Sequence, residues 1–240
     1  MKIPPITYVP DKYEFLIRLA EGRRVLHVGC ADALADVEQK HSEGRFLHAR
    51  LAETAKDLWG CDLDPEGIAR MREIWGFRQL SVADAQDLQL DDVGGEPFDL
   101  VIAAEVIEHL TNPGGFLASM RRVLAPGGEL CITTPNGALS LKTLLHSLRG
   151  EEMVAAEHVV LFSFTSLNAL LERFGYQGLQ WHAALERSGG RRNVWGDRLI
   201  EPIVRRLPQH SDCLILLASP SQRPRIRSPE TEAADISIRG

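Results

Sequence analysis

Val25-Leu26-His27-Val28-Gly29-Cys30-Ala31-Asp32-Ala33 decides the fold. Apolar side chains with valines at either end suit a buried strand, and a glycine directly after them lets the backbone turn sharply. Short apolar runs recur at 58–61, 79–83, 100–104, 130–133, 179–182 and 213–217. Between them, apolar residues at helical spacing predict helices at about 46–57, 66–75, 114–124, 137–149 and 166–174. Asn112-Pro113 places a capping side chain before a proline at the first helical position. Thr165 is expected to cap the next helix, and Gly175 to end it in a left-handed conformation. Alternating strands and helices, with strands apolar on both sides, predict an α/β fold in which helices cover both faces of a parallel sheet.

Outside this frame, residues 1–10 carry three prolines and read as an extended arm. Phe15, Leu16, Leu19 and Ala20 continue it as a helix that Gly22 stops. Residues 1–21 are thus an arm and helix, and 22–218 the main domain. The proline-bearing stretch from Ser219 is a tail expected to be disordered. The polar segment 186–211 reads as a helical or loop insertion before the last strand.

The 240 residues are 44% hydrophobic and carry a net charge of −6. Bulk charge therefore gives no attraction to nucleic acid. Cys30, Cys61, Cys131 and Cys213 are widely spaced with no CxxC pair, which argues against a zinc ribbon or disulfide scaffold and suits a reducing cytoplasm. No apolar run is long enough to span a bilayer, and the start Met1-Lys2-Ile3-Pro4-Pro5 lacks the apolar stretch of a secretory signal.

In a doubly wound sheet, ligands lie beyond the C-terminal strand ends where the winding reverses. A nicotinamide-dinucleotide enzyme wants GxGxxG at the first such end, whereas this chain has Gly29, Ala31 and Leu34. An oxidoreductase reading is therefore weak. The chain instead resembles the class I S-adenosylmethionine-dependent methyltransferases over roughly residues 22–182, on five segments in the family's order. VLHVGCADA resembles the family's glycine motif. Trp59-Gly60-Cys61-Asp62-Leu63-Asp64-Pro65 resembles the second-strand end, whose acid takes both ribose hydroxyls. Asp84-Ala85 resembles the third-strand end that meets adenine. Phe98 to His109 is similar to the fourth strand and its exit, and Leu124-Ala125-Pro126-Gly127-Gly128-Glu129-Leu130 to the turn into the fifth.

The resemblance implies a Rossmann-like sheet of seven strands, mostly parallel with one antiparallel strand near the edge. It implies S-adenosylmethionine as cosubstrate, bound by His27, Gly29, Cys30, Ala31, Asp62, Leu63, Asp84, Ala85 and Glu105. A carboxylate such as Asp62 suits a pair of neighbouring hydroxyls, from which it accepts two charge-assisted bonds. Asp84 has a helix-capping alternative, and Asp64 is expected to cap the helix opening at Pro65. The family usually has an acid at position 27, where it helps to hold the cofactor's amino-acid part, and a glycine at position 31. Here the residues are His27 and Ala31. These departures keep a second reading open, a non-catalytic methyltransferase-like binding or scaffold subunit.

Glu105-Val106-Ile107-Glu108-His109 is similar to the ExxEH segment of ubiquinone-pathway O-methyltransferases and of small-RNA 2′-O-methyltransferases. His109 follows the fourth strand on the side where the acceptor approaches, and imidazoles titrate near neutrality. It is the candidate general base, with His158 as a second catalytic candidate. The resemblance also implies a possible divalent metal (Mg, Mn or Zn) on Glu105, Glu108, His109 and His158. Glu105 and Glu108 share a face if their segment is helical. His41, His48, His146 and His210 read as surface or helix-face residues.

An RNA acceptor calls for a basic groove, but the basic piece at 187–206 is short. Aromatic content is 6%, which offers little base stacking. A small-molecule or glycan acceptor, methylated on oxygen, is preferred over RNA. Acceptor identity and oligomeric state have no signature in these residues.

Overall fold

The computed structural model describes residues 3–31, 43–152, 154–185 and 194–221. Its strands are β1 (Ile6–Val9), β2 (Arg24–Val28), β3 (Asp57–Asp62), β4 (Leu80–Val82), β5 (Phe98–Ala104), β6 (Leu124–Pro135), β7 (Tyr176–Ala184) and β8 (Cys213–Pro220). They form one sheet in the order β1-β7-β8-β6-β5-β2-β3-β4. β8 runs antiparallel to both β6 and β7, and the other pairings are parallel. The sheet has eight strands among the described residues where seven were expected. The added one is the proline-flanked arm, which pairs with β7 from Ile6 opposite Trp181 to Val9 opposite Ala184. A four-residue edge strand has only one neighbour, so its side chains need not show the continuous apolar run of a central strand.

The helices are α1 (Lys12–Ala20), α2 (Leu47–Ala52), α3 (Pro65–Trp75), α4 (Pro113–Val123), α5 (Leu141–Ser147), α6 (Phe164–Arg173) and α7 (Val194–Arg206). Alternate strand residues feed two cores. Leu26, Val28, Val101, Ala103, Leu130 and Ile132 pack against Phe116, Leu117 and Met120 of α4 and Leu167 and Leu171 of α6. On the opposite face, Val25, Leu100, Ile102, Cys131 and Ile215 meet Leu16, Ile17 and Ala20 of α1 and Leu47 and Leu51 of α2. Burial on both faces explains why these strands read as unbroken apolar runs.

Local signals place several element ends. Asn112 caps α4 by accepting from the Gly115 N–H, and Asp64 caps α3 by accepting from the Glu66 N–H. Gly22 and Gly175 both have left-handed backbones just past their helices, φ 69° and 76°. Ser163, not Thr165, caps α6, because its hydroxyl reaches the Ser166 N–H while the Ser166 side chain returns to the Ser163 N–H. The predicted helix over 46–57 ends at Ala52, since Asp57 already belongs to β3. The insertion contains α7. The tail expected from Ser219 starts later, because Ser219 and Pro220 still belong to β8 and pair with Gln177 and Tyr176 of β7, while 186–193 and the residues from 222 lie outside the described residues. Among the described residues no helix is long and apolar enough to cross a membrane, and the four cysteines are buried and form no disulfide.

Candidate active site

The chain winds outward from β2 to β3 and β4, then returns to add β5 and β6 on the other side. At this reversal the strand ends part, and a cleft of about 790 Å³ opens. Its walls come from the strand exits predicted to carry the site: His27, Gly29 and Cys30 after β2, Asp62 and Leu63 after β3, Asp84 and Ala85 after β4, and Glu105 and His109 after β5.

Gly29 is required by its conformation. Its φ is 71°, and a Cβ there would stand 2.5 Å from Val106 Cγ2. The Gly29 and Cys30 amides both donate to the Cys61 carbonyl, at 2.9 and 3.3 Å, which ties the turn to the end of β3. Ala31 is buried and absent from the cleft wall. Its methyl packs toward α3, where a Cβ on Gly67 would lie 2.7 Å away. The methyl in place of the usual glycine is thus turned into the core, and Ala31 serves the site through its backbone.

Asp62 shows what that backbone does. Its Oδ2 accepts from the Ala31 N–H at 2.9 Å and its Oδ1 from the Asp64 N–H at 3.0 Å. Two amides fix the carboxylate plane and leave each oxygen a lone pair, since an ionised carboxylate accepts about four bonds. Asp84 accepts from the Gln86 N–H at 2.8 Å, so it both closes a turn and borders the cleft.

His27 is buried. Its Nδ1 lies 3.2 Å from Nδ1 of His48 on α2. One ring must donate and the other accept, so the accepting ring is neutral. Burial lowers the His27 imidazole to about 4 and pushes His48 well down, with His27 adding to the effect. His48 was expected as a surface or helix-face residue. It does sit on a helix, but buried between His27 and Phe77, with ring centroids 4.8 Å apart on the Phe77 side. Gly60 makes room, because a Cβ there would be 2.8 Å from His48 Cε1.

Glu105 is the one non-glycine residue with positive φ (55°) among the described residues, a conformation that costs about 1–3 kcal/mol. It is therefore not helical, and it does not share a helix face with Glu108. Its N–H donates to the Thr133 carbonyl at 3.0 Å, and Thr133 Oγ1 returns a 2.7 Å bond to Oε1. Lys12 Nζ, from the first residue of α1, donates to the same oxygen at 3.0 Å, although the lysine side chain is only 6% exposed. Burial works to raise the Glu105 carboxyl, but Lys12 and Thr133 outweigh it and hold the group below the usual carboxylate range. Lys12, Tyr13 and Leu16 all line the cleft. Sequence reasoning missed them because α1 reaches the site only through tertiary packing. The one available signal was a lysine opening an otherwise core-facing helix.

On the acceptor side, a 3-10 turn at Ile107–His109 carries Glu108 inward and His109 outward. Glu108 is fully buried, with Oε2 accepting from Thr134 Oγ1 at 2.9 Å and Oε1 unpartnered. Burial, aided by Glu105, raises its carboxyl to about 8. His109 Nδ1 lies 3.3 Å from the Glu157 carbonyl, and its ring meets His158 edge-on at 4.8 Å. Burial and His109 lower the His158 imidazole, whose Nδ1 is buried and unpartnered. Glu108, His109 and His158 each offer a ligand atom within 4.8 Å of the others. Of the four residues expected around a metal, these three gather, while Glu105 is turned to Lys12 and Thr133.

Comparison with known proteins agrees with this geometry. The methyltransferase domain family matches residues 6–180. A ubiquinone biosynthesis O-methyltransferase of Caulobacter sp. (strain K31) is 31% identical over 134 residues, 56% of this chain and 48% of that protein. The chain spans about half the length of the curated relatives it matches. Two solved structures share the fold. One is N-methyltransferase NodS from Bradyrhizobium japonicum WM9 in complex with S-adenosyl-l-homocysteine, with TM-score 0.51, 19% identity, and coverage of 88% of this chain and 86% of that one. The other is a SAM-dependent methyltransferase from Archaeoglobus fulgidus, with TM-score 0.54, 17% identity, and coverage of 86% and 94%. With the family matched from β1 into β7, the chain belongs to the methyltransferase domain family.

Proposed function

We propose that this chain transfers the methyl group of S-adenosylmethionine to an oxygen of a small-molecule or glycan acceptor. The observation that carries the reading is the Asp62 carboxylate, fixed by two backbone amides on the wall of the cleft that opens beside Gly29. Bound in that cleft, S-adenosylmethionine supplies an activated methyl carbon that an acceptor oxygen displaces in line. The protein's task is then alignment and removal of the acceptor proton. Alignment can supply up to about 7–11 kcal/mol in well-oriented systems.

Asp62 would accept from both ribose hydroxyls, and Asp84 with the Ala85 backbone would border the adenine. The turn at Gly29 and Cys30 would give the sulfur-bearing chain close access to the strand ends. His109, exposed at the mouth and braced by Glu157 and His158, would take the hydroxyl proton. A general base contributes ~10²–10⁴-fold. Methylation on oxygen is supported by the Caulobacter relative, which is named a ubiquinone biosynthesis O-methyltransferase.

A second reading concerns a metal ion, favoured by two unpartnered buried atoms, Glu108 Oε1 and His158 Nδ1, within one cluster. One carboxylate and two imidazoles fit a divalent ion such as Zn, Mn or Mg. Glu108, His109 and His158 would hold it, and it would lower the pKa of an acceptor hydroxyl.

Calorimetry tests the main reading. S-adenosylmethionine and S-adenosylhomocysteine should bind and NAD should not. Absence of heat from both sulfur nucleosides overturns it and leaves the scaffold alternative. For the metal, chelation with EDTA should abolish turnover, and undiminished activity after chelation removes this second reading.

A further inference from the structure

We propose that a second cavity, at the end of β6, holds a sugar ring of the acceptor, gripped by the Lys142–Asp212 ion pair. This rests on the preceding reading of the reaction and narrows its acceptor from a small molecule or glycan to a glycoside.

The cavity measures about 190 Å³ and lies among the loop after β6, the start of α5, the segment before α6 and the residues that lead into β8. His158 is on its wall and His109 on the wall of the larger cleft, and the two rings meet edge-on at 4.8 Å. A ligand in the second cavity therefore lies against the imidazole that braces the proposed base.

The cavity is fixed from several sides. Asn136, only 2% exposed, donates to the Gln209 and Ser211 carbonyls at 3.0 and 2.8 Å, which draws the approach to β8 against the loop after β6. Asp212 is thereby set beside Lys142 of α5. Nζ and Oδ2 meet at 2.7 Å, with the two side chains 12% and 13% exposed. The segment before α6 is tied down twice. The Val159 and Val160 amides donate to the Glu108 carbonyl, and the Gly137 amide donates to the Phe162 carbonyl. These ties hold His158 and Leu161 in place before a ligand arrives, and preorganisation lowers the cost of binding.

The lining selects the ligand. A lysine ammonium only donates hydrogen bonds, and an ionised carboxylate only accepts them. Neighbouring ring hydroxyls do both, so a vicinal pair can accept from Lys142 and donate to Asp212 at once. The two charges cancel, which disfavours an anion beside Asp212 and a cation beside Lys142. An aromatic ring would cover the ion pair with apolar surface and return nothing for the water it displaces, a costly exchange for charged groups. Val154 and Leu161 line the same cavity and suit the C–H face of a sugar. The volume is below the roughly 300–1,000 Å³ of pockets for drug-sized ligands, which matches one ring.

Saturation-transfer NMR on the full chain with S-adenosylhomocysteine present tests this. The probes are the methyl glycosides of glucose, galactose, mannose and rhamnose, with catechol as the aromatic control. At least one glycoside should receive saturation, and more strongly than catechol. Lys142→Met and Asp212→Asn should each weaken that glycoside at least tenfold, with S-adenosylhomocysteine affinity unchanged within twofold. Thr143→Trp, which keeps the ion pair and fills the cavity, should do the same. No signal from any of these glycosides on the wild type overturns the proposal without a variant, and so covers a variant that fails to fold. A glycoside signal that survives in folded Asp212→Asn and Thr143→Trp also overturns it, as does a catechol signal exceeding that of every glycoside. If a glycoside binds while S-adenosylhomocysteine does not, the sugar site stands and the methyl-transfer reading has failed, a result distinct from the others.

Discussion

Nδ1 of His27 on β2 and Nδ1 of His48 on α2 face each other at 3.2 Å, both rings buried at the edge of the cleft. Only one proton can lie between them, so a doubly charged pair is excluded by repulsion as well as by burial. The unfolded imidazole titrates near 6.5, and the native His27 near 4. Between these values the unfolded chain binds protons that the native chain refuses, so stability falls as pH drops. The contribution is fully present above pH 6.5, is lost progressively toward pH 4, and amounts to about 3 kcal/mol at about 1.4 kcal/mol per unit. Urea unfolding at pH 7.5, 5.5 and 4.5 should show this loss, and His27→Asn should flatten it. A wild-type profile with no slope across that range contradicts the assignment.

Gly29→Ala joins a left-handed backbone to a 2.5 Å contact with Val106. Strain and overpacking together should cost about 2–4 kcal/mol. Chemical denaturation should show the lower midpoint. Calorimetry should show loss of nucleoside binding, because the turn that presents the amides of residues 29–31 must shift.

Asp62→Asn keeps the shape but removes the charge behind two amide bonds and two expected hydroxyl bonds. Charge-assisted bonds are worth about 1.5–3 kcal/mol, so S-adenosylhomocysteine should bind roughly ten- to a hundredfold more weakly. Unchanged affinity would mean that the ribose lies elsewhere.

His109→Ala should reduce turnover by ~10²–10⁴-fold, the range of a general base, while leaving S-adenosylhomocysteine affinity within a few-fold. The side chain is exposed, so stability should change little. Retained turnover in a methyl-transfer assay would remove His109 from the reaction.

The central sheet was legible because burial on both faces leaves a plain mark. The runs at 25–28, 100–104 and 130–133 each lie within a strand, and Asp62, Asp84 and Glu105 each border the cleft at or just past a strand end. Edges were less legible. β1 is short and follows Pro4-Pro5, so its pairing with β7 depends on a partner far along the chain. β6 begins at Leu124, well before its apolar stretch, because Ala125-Pro126-Gly127-Gly128 still lies within the strand. Partnerships between distant residues left no sequence mark at all. Nothing in the order of residues ties Lys12 to Glu105 or His48 to His27, since each contact exists only after helices dock on the sheet.

The parallel pairing of Ile6 with Trp181 carries a consequence for biosynthesis. On a ribosome the first strand emerges long before its partner, and it must wait unpaired while the rest of the sheet is made. A nascent chain stalled before residue 176 should lack the β1–β7 pairing while α1 already has its partners on β2, β5 and α2, so this edge of the sheet would close late in translation.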